Sequence, residues 1–473
     1  MTQTVSIKQT VSPVIPETTS RQTSVVFKDI ATLLLLTFAL PLNATLVFAA
    51  LVFDRFSRLL NADQQSPDTS QAAASSVKTV LISGGKMTKA LQLARSFHSA
   101  GHRVVLIETH KYWLVGHRYS KAVDKFYTVP HPDDPTYAQA LLDIVKREKI
   151  DTYVPVCSPV ASYFDSQAIA QLSSHCEVIH ASPERIQQLD DKYQFSQAAR
   201  QLDLPVPKSY KITDPQQVID FDFSQETRPY ILKSIPYDAV RRLDLTKLPC
   251  KTQEATKAFV NSLPISEKTP WIMQEFIEGR EYCTHGTLRN GALRVHCCCE
   301  SSPFQVNYQQ VEKPAIESWV RTFAAGLSLT GQASFDFIEA KETGQVYAIE
   351  CNPRTHSAIT MFYMQPHELS QAYLSDDALS APVKPAKKSR PTYWIYHEIW
   401  RLLTHLTSPK ETVQRLKIIA SGKDAIFDWH DPLPFLMVHH WQIPLLLLKD
   451  LKARKGWIRI DFNIGKLVQV GGD

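Results

Sequence analysis

Apolar residues follow several distinct patterns along this chain. Residues 31 to 53, ATLLLLTFALPLNATLVFAALVF, are 23 positions without a charge, bracketed by Lys28-Asp29 and Asp54-Arg55. A helix of about 20 apolar residues crosses a bilayer, so the run predicts a membrane anchor. A secretory signal has a shorter apolar core. Pro41-Leu42-Asn43 divides the run in two, which leaves a re-entrant hairpin or a buried helix as the other readings. The pattern then stops: residues 61–76, NADQQSPDTSQAAASS, read as a linker.

From residue 77 the apolar positions alternate between strand and helix periods. Val80-Leu81-Ile82 and Val104 to Ile107 read as strands. Between them Leu91, Leu93, Ala94 and Phe97 recur at helical spacing before a turn at Gly101. ALLDIVKREKI and TYVPVCS repeat the helix–strand order, so residues 77–180 predict βαβ units on a parallel, Rossmann-like sheet. Ser83-Gly84-Gly85-Lys86 is neither a dinucleotide fingerprint nor a phosphate loop. It reads equally as an anion site at a helix start or as a structural turn.

A second pattern lies in QASFDFIEAKETGQVYAIECNPRTH, residues 332–356. Two strand-like runs flank Glu342-Thr343-Gly344, a three-residue hairpin loop with Gly at its end. Counting back from that loop sets Asp336 opposite Glu350. Alternation puts Asp336, Glu350 and Asn352 on one face, and Phe335, Phe337, Tyr347, Ile349 and Cys351 on the other. Oxygen ligands gathered this way suit Mg²⁺, which takes one or two carboxylates plus substrate phosphates. Arg354 just beyond is placed to meet phosphate oxygens. A solvated outer face of an edge hairpin is the alternative.

Composition narrows the picture. With 473 residues, 44% hydrophobic and 21% charged, the chain folds into several domains. A net charge of +5 and no basic–aromatic array argue against nucleic acid as a partner. Eight cysteines form no CxxC pair, and the consecutive Cys297, Cys298 and Cys299 suit a strand in a reducing compartment better than a metal site.

Four motifs then follow in order: Lys192 on a helix in LDDKYQFSQAARQLDLPVPKSYKI, Lys233 ending the strand PYILKS, PWIMQEFIEGREYC, and the hairpin above. Together they resemble the ATP-grasp fold, in which two α+β subdomains clamp ATP. The resemblance implies that Lys192 and Lys233 reach ATP phosphates. It implies that Gln274, Glu275 and Ile277 line the adenine pocket and that Glu281 holds the ribose. Asp336, Glu350 and Asn352 would bind Mg²⁺, and Arg354 would steady the transferring phosphoryl group. Where relatives have a Gly-rich lid, SIPYDAVRRLDLTK has no Gly. Arg241 and Arg242 either replace its contacts by side chain or are solvated.

Further segments, SGGKMTKALQLARSFH, HKYWLVGHR, YVPVCSPVASY, ECNPRTHSAITMFY, PTYWIYHEIWRL and GWIRIDFNIGKL, make the chain similar to the ATP-grasp ligases of mycosporine-like amino acid biosynthesis. That resemblance implies ligation of glycine to 4-deoxygadusol, giving mycosporine-glycine, ADP and phosphate. His285, Thr287, Thr355, His356 and Ser357 are acceptor-pocket candidates, with hydrogen-bonded structural roles as the alternative. Another acceptor, or an ATP-binding regulator tethered to a membrane, are the competing functions. The expected organisation is a tail at 1–60, a linker at 61–76, a pre-ATP-grasp domain at 77–180, an ATP-grasp domain at 181–384 and an extension at 385–473. The catalytic domains would be cytoplasmic and membrane-anchored through residues 31–53. The extension carries 14 Lys and Arg against 8 Asp and Glu, with five Trp. It reads as a helical layer packed on the core or as a membrane-binding surface.

Overall fold

The computed structural model describes residues 19–61, 77–156, 158–235, 241, 244–301 and 307–469. The linker beyond Asn61 and Arg242 lie outside them. Helix α1 (Thr19–Asn61) is continuous through Pro41, so no re-entrant hairpin forms. One proline removes a single intrahelical hydrogen bond at a cost of about 3 kcal/mol, and the helix packs along its length. Asp29, Leu36, Asn43, Val47, Ala50 and Asp54 recur at spacings of seven, four and three residues, which keeps them on one face, and are all buried.

The first domain is a five-stranded parallel sheet. Strands β1 (Thr79–Ile82), β2 (Arg103–Thr109), β3 (Lys125–Val129), β4 (Thr152–Val154) and β5 (Glu177–Val178) lie in the order β3-β2-β1-β4-β5. Helices α2 (Thr88–Ser99), α3 (Tyr137–Glu148) and α4 (Pro159–Leu172) connect them, as the periodicity predicts. The Gly84-Gly85 turn has a structural role. The Lys86 amide donates to the Glu108 carboxylate at 3.0 Å, Gly85 N–H to the Ile107 carbonyl, and Gly84 has φ +69° against the Val156 backbone.

Helices α5 (Pro183–Asp190) and α6 (Lys192–Arg200) lead into two antiparallel sheets. Strands β6 (Ser209–Ile212), β7 (Tyr230–Ser234) and β8 (Trp271–Glu275) pair as β6-β8-β7, with α7 (Pro215–Ile219) and α8 (Gln253–Asn261) sharing their core. Strands β9 (Gly279–Arg289) and β10 (Ala292–Glu300), the short β11 (Asn307–Tyr308), then β12 (Gly331–Ala340) and β13 (Val346–Asn352) follow. Of these β10-β9-β12-β13 form the second sheet, backed by α9 (Pro314–Gly326) through Trp319 and Phe323. Helix α10 (Pro366–Leu374) returns to the first domain.

The extension contains β14 (Thr392–Tyr393), α11 (Ile395–Thr404), α12 (Pro409–Ser421), β15 (Lys423–Asp424), α13 (Leu433–Met437), α14 (Ile443–Ala453), β16 (Trp457–Asp461) and β17 (Lys466–Gln469). It is packed on the first domain. Arg95 Nε meets Asp431 at 2.8 Å, Trp394 Nε1 donates to Thr88 Oγ1 at 3.1 Å, and Gly116 N–H donates to Gln442 at 2.7 Å. Of the two readings of its Trp and Leu residues, packing accounts for the inner set, Trp394 and Leu447 among them.

Candidate active site

The hairpin carries the densest set of chemical groups. Asp336 and Glu350 are directly opposite on β12 and β13, as expected, but by a different route. The turn holds four residues, Lys341 to Gly344, with Ala340 N–H bonded to the Gln345 carbonyl. That shifts the register by one residue, and a bulge at Ile349 shifts it back. The bulge also exchanges faces on part of β13. Val346, Ala348 and Cys351 join Phe335 and Phe337 in the core, so Tyr347 and Ile349 do not.

Lys192 opens α6, where Asp191 caps the helix through the Tyr193 and Gln194 amides. Its ammonium lies 3.8 Å from Glu350 Oε2. Lys233, near the end of β7, donates to Gln274 Oε1 at 3.2 Å, and the Gln274 amide reaches the Ile349 carbonyl at 3.4 Å. The side chain of Gln274 therefore ties the two sheets together where the bulge exposes a carbonyl. Asn352 donates to Glu350 at 3.4 Å and accepts from Arg354 Nη2 at 2.6 Å. Arg354 also faces Asp190 at 3.7 Å.

Charges in this cleft oppose one another. Burial and the Glu350 carboxylate push Asp336 well above the usual carboxyl range. Burial also works against Glu350, yet Lys192, Lys233 and hydrogen bonds from Asp336 and Asn352 hold it below that range. Burial lowers Lys233, against the pull of Glu350, Glu281 and Asp336. Two facing carboxylates with one proton-rich member are a donor set that a divalent cation would relieve, so the residues fit Mg²⁺. Among the described residues no cluster of three or more His, Cys, Asp or Glu could hold a metal alone. A cation here would need phosphate oxygens as further ligands.

The remaining expected residues divide. Ile277 is buried just after β8, and Glu281 is exposed on β9, close enough to act on Lys233. Glu275 is committed elsewhere: its carboxylate pairs with Arg228 at 3.4 Å and accepts from the Lys208 amide at 3.2 Å. Its side chain is thus already paired, and its amide donates to the Lys208 carbonyl. Arg241 is half-buried in a turn closed by the Asp244 amide. His285 and Thr287 are fully buried and bond each other at 3.2 Å, and His356 caps the Ala358 amide. Both histidines are hydrogen-bonded within the chain, the His285 ring also accepting from the His356 amide.

Sequence reasoning missed the supports of Arg354. Asp190 faces it, Ser162 Oγ donates to the Pro353 carbonyl at 2.9 Å, and Lys89 Nζ to the Thr355 carbonyl at 2.6 Å. The Asp-Asp-Lys of α5–α6 was a visible signal for Asp190. Nothing local pointed to Lys89, which is 265 positions before Arg354.

No protein-family model matches the chain. The C-terminal section of the carbamoyl phosphate synthase large chain of Methanopyrus kandleri is 23% identical over 253 residues. That match spans 48% of this chain and 43% of the relative, less than half its length. Among solved structures, an ADP complex of N5-carboxyaminoimidazole ribonucleotide synthetase superposes with a TM-score of 0.50 at 14% identity, over 70% of this chain and 86% of that one. L-amino acid ligase from Bacillus licheniformis does so with a TM-score of 0.50 at 14% identity, over 67% and 80%. At such identity the likeness is one of backbone architecture. The chain has the ATP-grasp fold, here a parallel-sheet domain followed by two antiparallel sheets.

Proposed function

We propose that this protein is an ADP-forming carbon–nitrogen ligase that joins glycine to 4-deoxygadusol. The observation that carries the ligase reading is the meeting of Lys192, Lys233 and Arg354 with the facing pair Asp336–Glu350 in one cleft. Phosphoryl transfer asks mainly for positioning and charge neutralisation. Lys192 and Lys233 bind the ATP phosphates, and Arg354, steadied by Asn352 and Asp190, meets the oxygens of the transferring group. Bound Mg²⁺, held by Asp336, Glu350 and Asn352, supplies further neutralisation of the phosphates. Ile277 and the main chain at Glu275 flank the adenine, and Glu281 holds the ribose.

The enolised diketone of 4-deoxygadusol is a vinylogous carboxylate. Its enol oxygen attacks the γ-phosphorus and ADP leaves. Glycine's amine then adds to the activated carbon, the C–O bond breaks, and phosphate departs with the electron pair as the amine loses a proton. Support for these substrates comes from family-like segments outside the ATP site. The segment around Ser162 and the segment Pro353 to Ser357 touch through the Ser162–Pro353 hydrogen bond, beside Arg354. The enzyme works on the cytoplasmic side of a membrane, where ATP is supplied and where the apolar α1 finds a partner.

The test is ADP release by the full chain with Mg·ATP, 4-deoxygadusol and glycine, each omitted in turn. Turnover requiring all three, with a new near-ultraviolet chromophore, is expected. ADP release supported by another acceptor and not by 4-deoxygadusol would remove the substrate assignment. ATP binding without turnover under any acceptor would remove the ligase.

A further inference from the structure

Helix α1 is apolar all round between residues 31 and 53 but covered on one side only. Its outer stripe, Phe27, Leu34, Phe38, Leu42, Phe48 and Phe56, is between 53% and 79% exposed. Water does not favour such a face on a folded protein. The surface continues beyond the helix. Trp429 packs its ring against Phe53 at 5.9 Å between centroids. Trp441 lies in the segment between α13 and α14 that packs on α1, and α11, whose Tyr396 accepts from Asn43, turns Trp400 and Leu403 outward.

The helix does not cross a bilayer. Both ends of its apolar run are fastened to the same folded body: Lys28 Nζ donates to the Trp457 carbonyl at 2.8 Å, and Asp54 meets His430 at 2.8 Å and Lys121 at 3.4 Å. Midway, Asn43 contacts His440 at 2.7 Å. The 26 residue steps from Lys28 to Asp54 rise about 39 Å, more than the roughly 30 Å of a hydrocarbon core. A crossing would pull this body, with its buried carboxylates, through the lipid.

We propose that α1 and the outward residues of α11 and the extension dock together in the plane of a lipid bilayer carrying anionic headgroups. Apolar side chains enter the acyl boundary, and the exposed tryptophans sit at headgroup level. Charge selects this occupant. Arg55 is exposed on α1, Lys449 and Lys452 on α14, which packs on α1, and Lys410 and Lys417 on α12, which packs on α11; the extension has an excess of basic residues. Anionic lipid neutralises such a rim, whereas a second copy of the chain would set like charges against each other. The inference does not depend on the ligated substrates.

The test is flotation of the full chain with phosphatidylcholine vesicles, with and without phosphatidylserine. Binding that strengthens with phosphatidylserine is expected. Phe38→Glu with Phe48→Glu should weaken it about tenfold or more per substitution. Trp400→Ser with Leu403→Ser is a second variant that leaves α1 untouched, and it should also weaken binding. ADP release by each variant in detergent-free buffer reports that it folds. Topology is read from Ser6→Cys and Ser66→Cys, which flank the helix in the sequence and lie off its apolar stripe, with an impermeant thiol reagent added outside the vesicles. Six of the seven described native cysteines are buried, and labelling of the unaltered chain, which also carries Cys157 and the half-buried Cys250, sets the background. Labelling at both positions is expected, and protection of one end alone would establish a spanning helix and overturn the proposal. Absence of vesicle binding would also overturn it, whether the chain is then monomeric or pairs with a second copy through this face.

Discussion

Asp336 and Glu350 share one rung of a β ladder, yet their environments drive them apart. Burial and its neighbour favour the protonated form of Asp336, while Lys192 and Lys233 keep Glu350 charged. On the proposed reading Glu350 is the anchoring carboxylate, and its loss tests the site most directly. Glu350→Gln preserves shape and removes the charge. The expected result is a fall in the rate of ADP release of about 10²–10³-fold, with a higher Mg²⁺ concentration needed for half-maximal rate. Near-normal turnover at ordinary Mg²⁺ would dismiss the metal assignment. The pair itself was legible in the sequence because carboxylates at the end of an apolar strand are costly without a purpose. Its surroundings were less legible. The one-residue error in the turn and the bulge at Ile349 cancelled at Asp336–Glu350, but not at Tyr347 and Ile349, whose faces came out reversed. A bulge without Gly or Pro leaves no mark in the alternation.

At the scale of elements, the two antiparallel sheets meet where β8 hands over to β9, and Gly279 is the first residue of β9. A Cβ there would lie 2.0 Å from the Glu339 carbonyl oxygen and 2.8 Å from Ile338 Cγ2. Both atoms belong to β12, so the chain cannot yield at a flexible side-chain tip. Gly279→Ala should therefore push β9 and β12 apart at the base of the cleft. Destabilisation of about 1–3 kcal/mol is expected, read by thermal unfolding. KM for ATP should rise as well, since Gln274 and Glu281 flank this joint. An unchanged melting temperature would mean that the strands part freely there. Nothing in the local pattern PWIMQEFIEGREYC marks Gly279 at this joint. The need for Gly arises from a strand about 60 residues later.

On the scale of the whole molecule, local patterns were read well and distant seams were not. The first sheet follows from periodicity and the two antiparallel sheets from ordered motifs that resemble the ATP-grasp fold, but Trp394–Thr88 and Arg95–Asp431 join residues more than 300 apart, which no local pattern encodes. That seam is where acid should act. His117 and His439 lie in it fully buried, and His296 is buried in β10. Burial, against a hydrogen bond to the Gly85 carbonyl, lowers His117 to about 4; burial likewise lowers His296 to about 4 and His439 to about 3. Between pH 6.5 and these values the unfolded chain binds protons that the folded one does not. The contribution is complete above pH 6.5 and lost as pH falls toward 4, on the order of 3 kcal/mol per histidine. Asp336 and Asp424, raised by burial, act in the opposite sense by holding protons in the folded state. A comparison of variants separates the two effects. In thermal melts across this range, His117→Asn should flatten the loss of stability on acidification relative to the unaltered chain, because its amide does not take up a proton. Tryptophan fluorescence should report the transition early, since Trp394 bonds to Thr88 across the seam. If the variant and the unaltered chain lose stability in parallel, His117 is not held neutral and the seam opens for another reason.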